Sequence, residues 1–255
     1  MAAARRVPEG PAPDPAVQKQ WVRYAKRGRM RFTSSRDFQR ALERGLRLAQ
    51  IPMAYSAGFH PHPKISYANA APTGVASEAE YVELSVTREV DPAEVGSALA
   101  AALPDGLDIV HVTVAGTGSL ADRLVASRWQ MVFQGLPAPD LQLALEAFLA
   151  RDHVEVTRVM KQGPRAIEVR EPVLGAEVSD TPRREGARDR AATGTDHSGA
   201  AELLLTVRHT TPTVRPAELW AALGEVSGLD LPRPISGRLA QGPLGDDHAV
   251  LDPLT

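Results

Sequence analysis

The chain has 255 residues, with 29 Lys and Arg against 31 Asp and Glu, 43% hydrophobic residues, 21 prolines and no cysteine. This length can bury one large core or two small ones, and the apolar fraction excludes a wholly disordered chain. The lack of cysteine excludes a disulfide framework, a thiolate zinc site, a cysteine nucleophile and an iron–sulfur cluster held by Cys ligands.

Residues 1–18 contain four prolines before residue 16 and show no hydrophobic periodicity. We predict that they form a disordered tail, because so little apolar surface cannot offset the entropy of ordering the chain. The tail also lacks the apolar core of a signal peptide. No run in the chain approaches the roughly 18 apolar residues that a membrane-spanning helix needs. We therefore expect a cytoplasmic protein without a membrane partner.

The segment 19–117 predicts a first compact half. Two short β-type runs, 21–25 and 29–33, are separated by a Lys-Arg-Gly turn and predict a tight hairpin. Ser34 or Ser35 then suits the N-cap of an amphipathic helix that continues to about Gln50.

Four arginines recur on this helix at the spacing i, i+4, i+8 and i+11, which places them on one face. They are Arg36, Arg40, Arg44 and Arg47. The surrounding segment 19–47 holds ten basic residues and two acidic ones, whereas 71–110 holds eight acidic residues and one basic one. These segment charges, rather than the net charge of −2, indicate the partners of the chain.

Pro52 ends the helix, and a loop follows at residues 58–64. The other elements of the first half come after this loop. Asp91 is a suitable cap and Pro92 a suitable first residue for a second helix. The predicted order is strand, strand, helix and strand, over residues 65–71, 81–87, 91–102 and 107–114. With the first strand and helix, this gives the ferredoxin-like order β-α-β-β-α-β.

The segment 118–255 predicts a second half of the same order, less cleanly. We expect strands at 128–134, 153–160, 166–171 and 202–210, and helices at 139–151 and from Arg215 to near Gly224. The polar segment 176–200 reads as a disordered insertion. The predicted fold class is therefore α+β, with two ferredoxin-like halves in tandem.

The arginine face is the first candidate site. Clustered guanidinium groups favour a phosphate backbone, because each neutralised phosphate releases counterions and guanidinium binds phosphate in a bidentate geometry. Arg40, Arg44 and Arg47 are the residues that we expect to contact phosphates. The alternative is a solvated helix face, or one paired with the acidic residues of 71–110.

The loop Gly58–Lys64 (GFHPHPK) is the second candidate. Two alternate prolines stiffen it, so that aromatic rings and imidazoles are held outward for stacking on bases. The substrate-binding residues predicted here are Tyr55, Phe59, His62 and Lys64. A proline-rich turn with only local hydrogen bonds is the alternative.

The loop and the residues after it contain groups that are typical of two further kinds of chemistry, metal binding and acid/base catalysis. A metal site on His60 and His62 is not predicted, because no cysteine exists and the other histidines have no compact ligand spacing. His62 with Glu80 could form an acid/base pair, but a Glu pair before a strand is more often solvated. We therefore predict neither a metal nor a cofactor.

A set of spaced residues between positions 23 and 86 resembles a known family pattern. They are Lys26, Arg27, Gly28, Phe32, Ser34, Asp37, Arg40, Glu43, Arg44, Pro52, Tyr55, Ser56, Gly58, Phe59, Pro61, His62, Pro63, Lys64, Gly74, Ser77, Glu80 and Tyr81. The pattern is similar to that of the radical-SAM-linked protein family, a domain of unknown function found alone or appended to radical S-adenosylmethionine proteins. Weaker matches follow at Lys161, Gly163 and Arg170.

The chain departs from this family pattern at two positions. Ser35 stands where the family has a histidine, and His60 stands where it has an asparagine. Of the two loop histidines, His62 is therefore the one to which a family role transfers.

The resemblance implies an accessory protein that binds or presents a substrate to a radical S-adenosylmethionine enzyme. Such enzymes hold their cluster by three cysteines, so this chain does not perform that step. RNA is the substrate that the arginine face and the stiff loop favour. The alternatives are a metal-independent RNA-processing or RNA-modifying enzyme and a protein-binding adaptor, and we expect no catalytic activity of the chain itself.

Overall fold

The computed structural model describes residues 13–180 and 199–255. These residues divide into two compact units, the first ending at Arg123 and including Leu254 and Thr255, and the second spanning Leu124–Pro253. Ten strands and five α-helices among the described residues confirm the α+β class. No helix of the described ranges is long and apolar enough to cross a membrane.

The first unit is a four-stranded antiparallel sheet with two helices of three turns or more. Its elements are β1 (Gln18–Lys26), α1 (Ser35–Leu48), β2 (Ile65–Ala68), β3 (Ala76–Val86), α2 (Pro92–Ala102), β4 (Leu107–Val114) and the short α3 (Leu120–Arg123). Within this unit the strand order is β4-β1-β3-β2, and all neighbours are antiparallel. Phe38, Leu42 and Leu46 of α1 pack on Val22 and Leu84 of the sheet to form its core.

The hairpin predicted at residues 21–33 is wrong. Residues Gly28–Phe32 form a 3-10 turn instead of a strand, with the Met30 N–H bonded to the carbonyl of Arg27. The reason is that β3 and β4 occupy both edges of β1, so no edge remains for a hairpin partner.

The predicted helix α1 is confirmed, and so is its cap. The Ser34 hydroxyl accepts a hydrogen bond from the Asp37 N–H at 3.2 Å. The helix ends at Leu48, two residues before the predicted Gln50. The apolar residues face the sheet, which leaves the arginine face to solvent.

The second unit contains a sheet and a separate hairpin. Its elements are β5 (Ala126–Gln134), α4 (Ala138–Leu149), β6 (Glu155–Met160), β7 (Gly163–Glu168), β8 (Val173–Asp180), β9 (Ala200–Arg208), α5 (Pro216–Ser227) and β10 (Ile235–Gly242). Within this unit the sheet order is β10-β5-β9-β8, with antiparallel neighbours. Among the described residues, strands β6 and β7 pair only with each other.

The insertion predicted at 176–200 is wrong at both of its ends. Residues 176–180 belong to β8 and residue 200 begins β9. The polarity of 176–180 misled the prediction, because β8 is an edge strand whose side chains are mostly exposed or half-buried while its backbone pairs with β9. Residues 181–198 lie outside the described part of the chain.

The tail prediction is only partly covered by the structure. Residues 1–12 lie outside the described residues, and residues 13–17 have no regular secondary structure. Gln18, which we had placed in the tail, begins β1.

The hairpin β6–β7 is held to α5 by an ion pair that is largely buried. Arg158 of β6 pairs with Glu218 of α5, and the two side chains are 11% and 12% exposed. The Arg158 guanidinium also donates to the carbonyl of Thr213 at 2.7 Å. These bonds fix a hairpin that has no other strand partner among the described residues.

A half-buried histidine makes the stability of the second unit depend on pH. The His209 Nδ1 lies 2.6 Å from the carbonyl oxygen of Leu124, and its Nε2 lies 2.7 Å from the Ser127 hydroxyl. Because a carbonyl can only accept, Nδ1 carries the proton and Nε2 accepts from Ser127. Burial, together with the charge of Arg238, lowers the pKa of His209 from 6.5 to about 4.

We expect the unfolding free energy to fall as the pH drops from about 6.5 to about 4. The unfolded chain binds a proton at His209 in this window and the folded chain does not, which corresponds to about 3 kcal/mol in total. Urea unfolding at several pH values measures this dependence in the wild type, in His209→Gln and in the exposed control His111→Gln. The slope of unfolding free energy against pH flattens only in His209→Gln; equal slopes in all three proteins would contradict the assignment.

Candidate nucleic-acid interface

The four arginines of α1 are all exposed to solvent. In the described ranges, the side chains of Arg36, Arg44 and Arg47 form no ion pair, and Arg40 reaches only the exposed Asp37 at 3.7 Å. Acidic residues of 71–110 pair elsewhere, because Glu78 and Asp108 bind Arg27 and Glu83 binds Lys19. The charge of the arginine face is therefore not neutralised internally.

Hydrogen bonds join the two ends of the predicted His-Pro loop, and we call this pair of ends, Ala54–Ser56 and His62–Lys64, the neck of the loop. The Ser56 N–H donates to the carbonyl of His62 at 2.9 Å, and the His62 N–H donates to the Ser56 hydroxyl at 3.1 Å. Two residues farther from the tip on each side, the Lys64 N–H donates to the carbonyl of Ala54 at 2.7 Å. Gly58 at the tip has a φ of +136°, which favours glycine. The loop is held by this neck as well as by its two prolines.

We expect Ser56→Ala to loosen the neck without disturbing the sheet. The variant removes the acceptor of the His62 N–H, and a hydrogen bond of about 1 kcal/mol corresponds to about fivefold faster amide exchange. Amide exchange followed by NMR measures the effect, with Ser66→Ala on the exposed face of β2 as the matched control. An unchanged exchange rate at His62 would show that the hydroxyl does not hold the loop.

The C-terminal end of α1 and the loop line one cleft of about 180 Å³, which we call the α1–loop cleft. Arg47 lies on its helix side, and Tyr55 and His62 lie on its loop side. Leu46, Ile51 and Met53 give it apolar walls. Two elements that are separate in the sequence therefore meet in one concave surface.

The other predicted binding residues are exposed but lie outside this cleft. Arg40 and Arg44 precede Arg47 along the same helix face. Phe59 is 61% exposed at the loop, and Lys64 is exposed where the loop ends. These three cations and one aromatic ring are therefore not part of the concave surface.

Glu80 and His62 line different cavities. Glu80 is buried, accepts a hydrogen bond from the Ala71 N–H at 2.9 Å, and lines a cavity of about 40 Å³ together with Lys26. His62 is exposed and lines the α1–loop cleft. The structure therefore places the two residues of the acid/base hypothesis in separate environments.

The smaller cavity is enclosed by aromatic rings. Tyr24 stacks on Phe38 with ring centroids 4.4 Å apart, and Phe38 meets the edge of Tyr67 at 6.2 Å. Burial raises the pKa of Tyr67, and the nearby charge of Glu43 raises it further. The Lys26 ammonium group donates to the carbonyl of Ala71 at 3.2 Å. This arrangement anchors α1 on the sheet.

Sequence reasoning missed four residues of the cleft: Glu43, Leu46, Ile51 and Met53. The available signal was the spacing of Glu43, which lies four residues before Arg47 and therefore on the same helix face. We counted Glu43 as an acidic residue within a basic segment and as part of the family pattern, but not as a binding residue. The apolar residues gave no separate signal, because their spacing is also that of a helix core.

No group of three or more His, Asp or Glu residues in the described ranges is arranged to hold a metal ion. His60 and His62 thus lack a third protein ligand there.

Residues 19–216 match a family described as "Uncharacterized protein conserved in bacteria (DUF2344)". The match begins within β1 and ends at the first residue of α5, so that it includes both α1 and the loop. No curated protein is significantly similar to the chain.

Proposed function

We propose that this chain, which belongs to the DUF2344 family of bacterial proteins, is a non-catalytic RNA-binding accessory that serves a radical S-adenosylmethionine enzyme. The observation that supports RNA binding is the α1–loop cleft, where Arg47 of the cationic helix and His62 of the stiff loop line one surface. Cations beside flat rings are the combination that single-stranded RNA requires.

The electrostatics of the arginine face support the same proposal. Three of its arginines lack an internal ion pair in the described ranges, so they are available to displace counterions from phosphates. The alternative of a face paired internally loses support, because in the described ranges no carboxylate of 71–110 pairs with these arginines, whereas three of those carboxylates bind Arg27 and Lys19.

We also propose that each unit is a ferredoxin-like domain. The first unit has the order β-α-β-β-α-β with its first and third strands central in the sheet. The second unit repeats this arrangement, provided that the hairpin β6–β7 is treated as an insertion between α4 and β8. Such sheets with one helical layer are common platforms for RNA.

The partner enzyme is proposed from the family pattern at residues 23–86 and from the composition. The chain has no cysteine and thus lacks the three thiolates that hold the cluster of a radical S-adenosylmethionine enzyme. It would therefore contribute binding of the substrate, while the partner contributes the radical chemistry.

The experiment that tests RNA binding is a filter-binding titration of the purified chain with structured and single-stranded RNA. We expect retention at low salt, with an affinity that falls linearly with salt on a log-log plot. Absence of retention at low salt would overturn the proposal.

Coexpression with a radical S-adenosylmethionine protein, followed by co-purification, tests the partner. If the complex persists after nuclease treatment and the chain alone does not bind RNA, the result favours the protein-binding adaptor alternative.

A further inference from the structure

We propose that the α1–loop cleft binds a single unpaired cytosine of the RNA, and that Glu43 and Arg47 read its Watson–Crick edge. The inference deepens the RNA-binding function proposed above and rests on it. It concerns the base that enters the cleft, whereas Arg40 and Arg44 are the arginines that contact the phosphates.

The size of the cleft fits one six-membered ring. It measures about 180 Å³ and is partly open to solvent, and a benzene molecule occupies an engineered protein cavity of roughly 150 Å³. A pyrimidine ring is close to benzene in size, whereas a purine is larger by a five-membered ring. The volume therefore favours a pyrimidine.

The walls of the cleft suit the faces of a base. Leu46, Ile51 and Met53 offer apolar contacts, and the rings of Tyr55 and His62 offer flat ones. Tyr55 is 37% exposed, so its ring can still stack on a ligand. Stacking on such side chains stabilises any base and does not distinguish cytosine from uracil.

Glu43 and Arg47 supply the discrimination between the two pyrimidines. Both line the cleft, they lie one helical turn apart on α1, and neither side chain has a hydrogen bond or ion pair in the described part of the chain. A carboxylate can only accept, so it accepts from the exocyclic amino group of cytosine. Arg47 donates to the ring nitrogen beside that amino group. Uracil presents an oxygen where Glu43 needs a donor.

The neighbouring nucleotides would find cations along α1. With a rise of 1.5 Å per residue, Arg44 lies about 4.5 Å and Arg40 about 10 Å along the helix axis from Arg47. Both side chains are exposed and on the Arg47 face. A base in the cleft thus leaves its flanking phosphates close to further guanidinium groups.

Fluorescence anisotropy with labelled homopolymers of about ten nucleotides tests the proposal. The probes are oligocytidine, oligouridine and oligoadenosine, titrated with wild type, Glu43→Gln and the control Glu94→Gln, which makes the same change on the exposed surface of α2. We expect the wild type and the control to bind oligocytidine about tenfold more tightly than oligouridine. In Glu43→Gln this ratio falls to about one, because an amide can both donate and accept.

The outcomes separate this inference from the proposed function. Equal, salt-dependent affinity of the wild type for all three probes would overturn the cytosine site and leave RNA binding in place. Tighter binding of oligoadenosine than of oligocytidine, or a cytidine preference that persists in Glu43→Gln, would also overturn it. Failure of the wild type to bind any probe or any structured RNA would overturn the proposed function itself. Equal melting temperatures of the three proteins exclude misfolding as the cause of a changed ratio.

Discussion

Replacing Arg40, Arg44 and Arg47 together by Gln is expected to weaken RNA binding by about two to three orders of magnitude at low salt. Each side chain contributes one contact with the RNA of about 1 to 1.5 kcal/mol, Arg40 and Arg44 with phosphates and Arg47 with the base in the cleft. The slope of log affinity against log salt should also become less steep by about 1.4, at roughly 0.7 for each of the two phosphate contacts on a single strand.

The structure indicates that this triple variant removes the charge of the arginine face without unfolding α1. All three side chains are exposed, and α1 is anchored through Phe38, Leu42 and Leu46 on the opposite side. Gln forms helices nearly as well as Arg, so α1 should remain folded. The measurement is a filter-binding titration over a range of salt concentrations, with circular dichroism to confirm the helix content.

A matched control separates the position of the charges from the net charge. Arg151, Arg165 and Arg233 are three exposed arginines of the second unit, and their joint replacement by Gln removes the same total charge. We expect this control to retain most of the affinity and nearly the whole salt slope. Equal losses in the two triple variants would show that the chain attracts RNA only through its overall charge, and the proposed interface would be abandoned.

The first unit could be predicted from sequence because its local signals and its packing agree. Ser34 caps α1, Asp91 caps α2, and the apolar positions of both helices face the sheet at helical spacing. The exception is the 3-10 turn at Gly28–Phe32, where a β-type pattern has no free strand edge to pair with. Strand pairing is decided by the whole sheet, and no local pattern contains that information.

The second unit was harder because its sheet uses strands with weak hydrophobic patterns. β8 is an exposed edge, and β10 buries the polar side chains of Arg238 and Gln241. The Arg238 guanidinium lies over the ring of Trp129 at 4.5 Å, a contact that periodicity does not reveal. The hairpin β6–β7 has a clearer strand pattern than β8, and sequence analysis therefore assigned it to the sheet in place of β8.

The candidate site could be predicted in its parts but not in its shape. The arginine spacing identified Arg47, and the proline spacing identified the loop that carries His62, yet only the fold brings both to one cleft. The spacing of Glu43 and Arg47 places both on one helix face, but only the fold shows that both line the cleft. Local sequence therefore identified candidate groups, and the tertiary structure determines which of them line the same cleft.

The ion pair of the second unit provides the largest expected effect on stability. Glu218→Gln should lower the free energy of unfolding by about 3 to 5 kcal/mol, because it leaves the Arg158 guanidinium largely buried without an opposite charge. The Gln side chain can still accept the hydrogen bond that Glu218 takes from the Arg215 N–H at 2.9 Å, so the start of α5 is preserved. Urea unfolding at neutral pH measures the change.

The double variant Arg158→Met with Glu218→Leu distinguishes loss of pairing from loss of packing. Replacing both members of a buried ion pair by apolar residues of similar size is often neutral or stabilising, so we expect the double variant to be far more stable than Glu218→Gln. The exposed pair of Arg128 and Glu177 serves as the control, and Glu177→Gln should change the unfolding free energy by no more than about 1 kcal/mol. If Glu218→Gln were equally mild, the pair would not be what holds the hairpin β6–β7 to α5, and the bond from Arg158 to the Thr213 carbonyl would have to suffice.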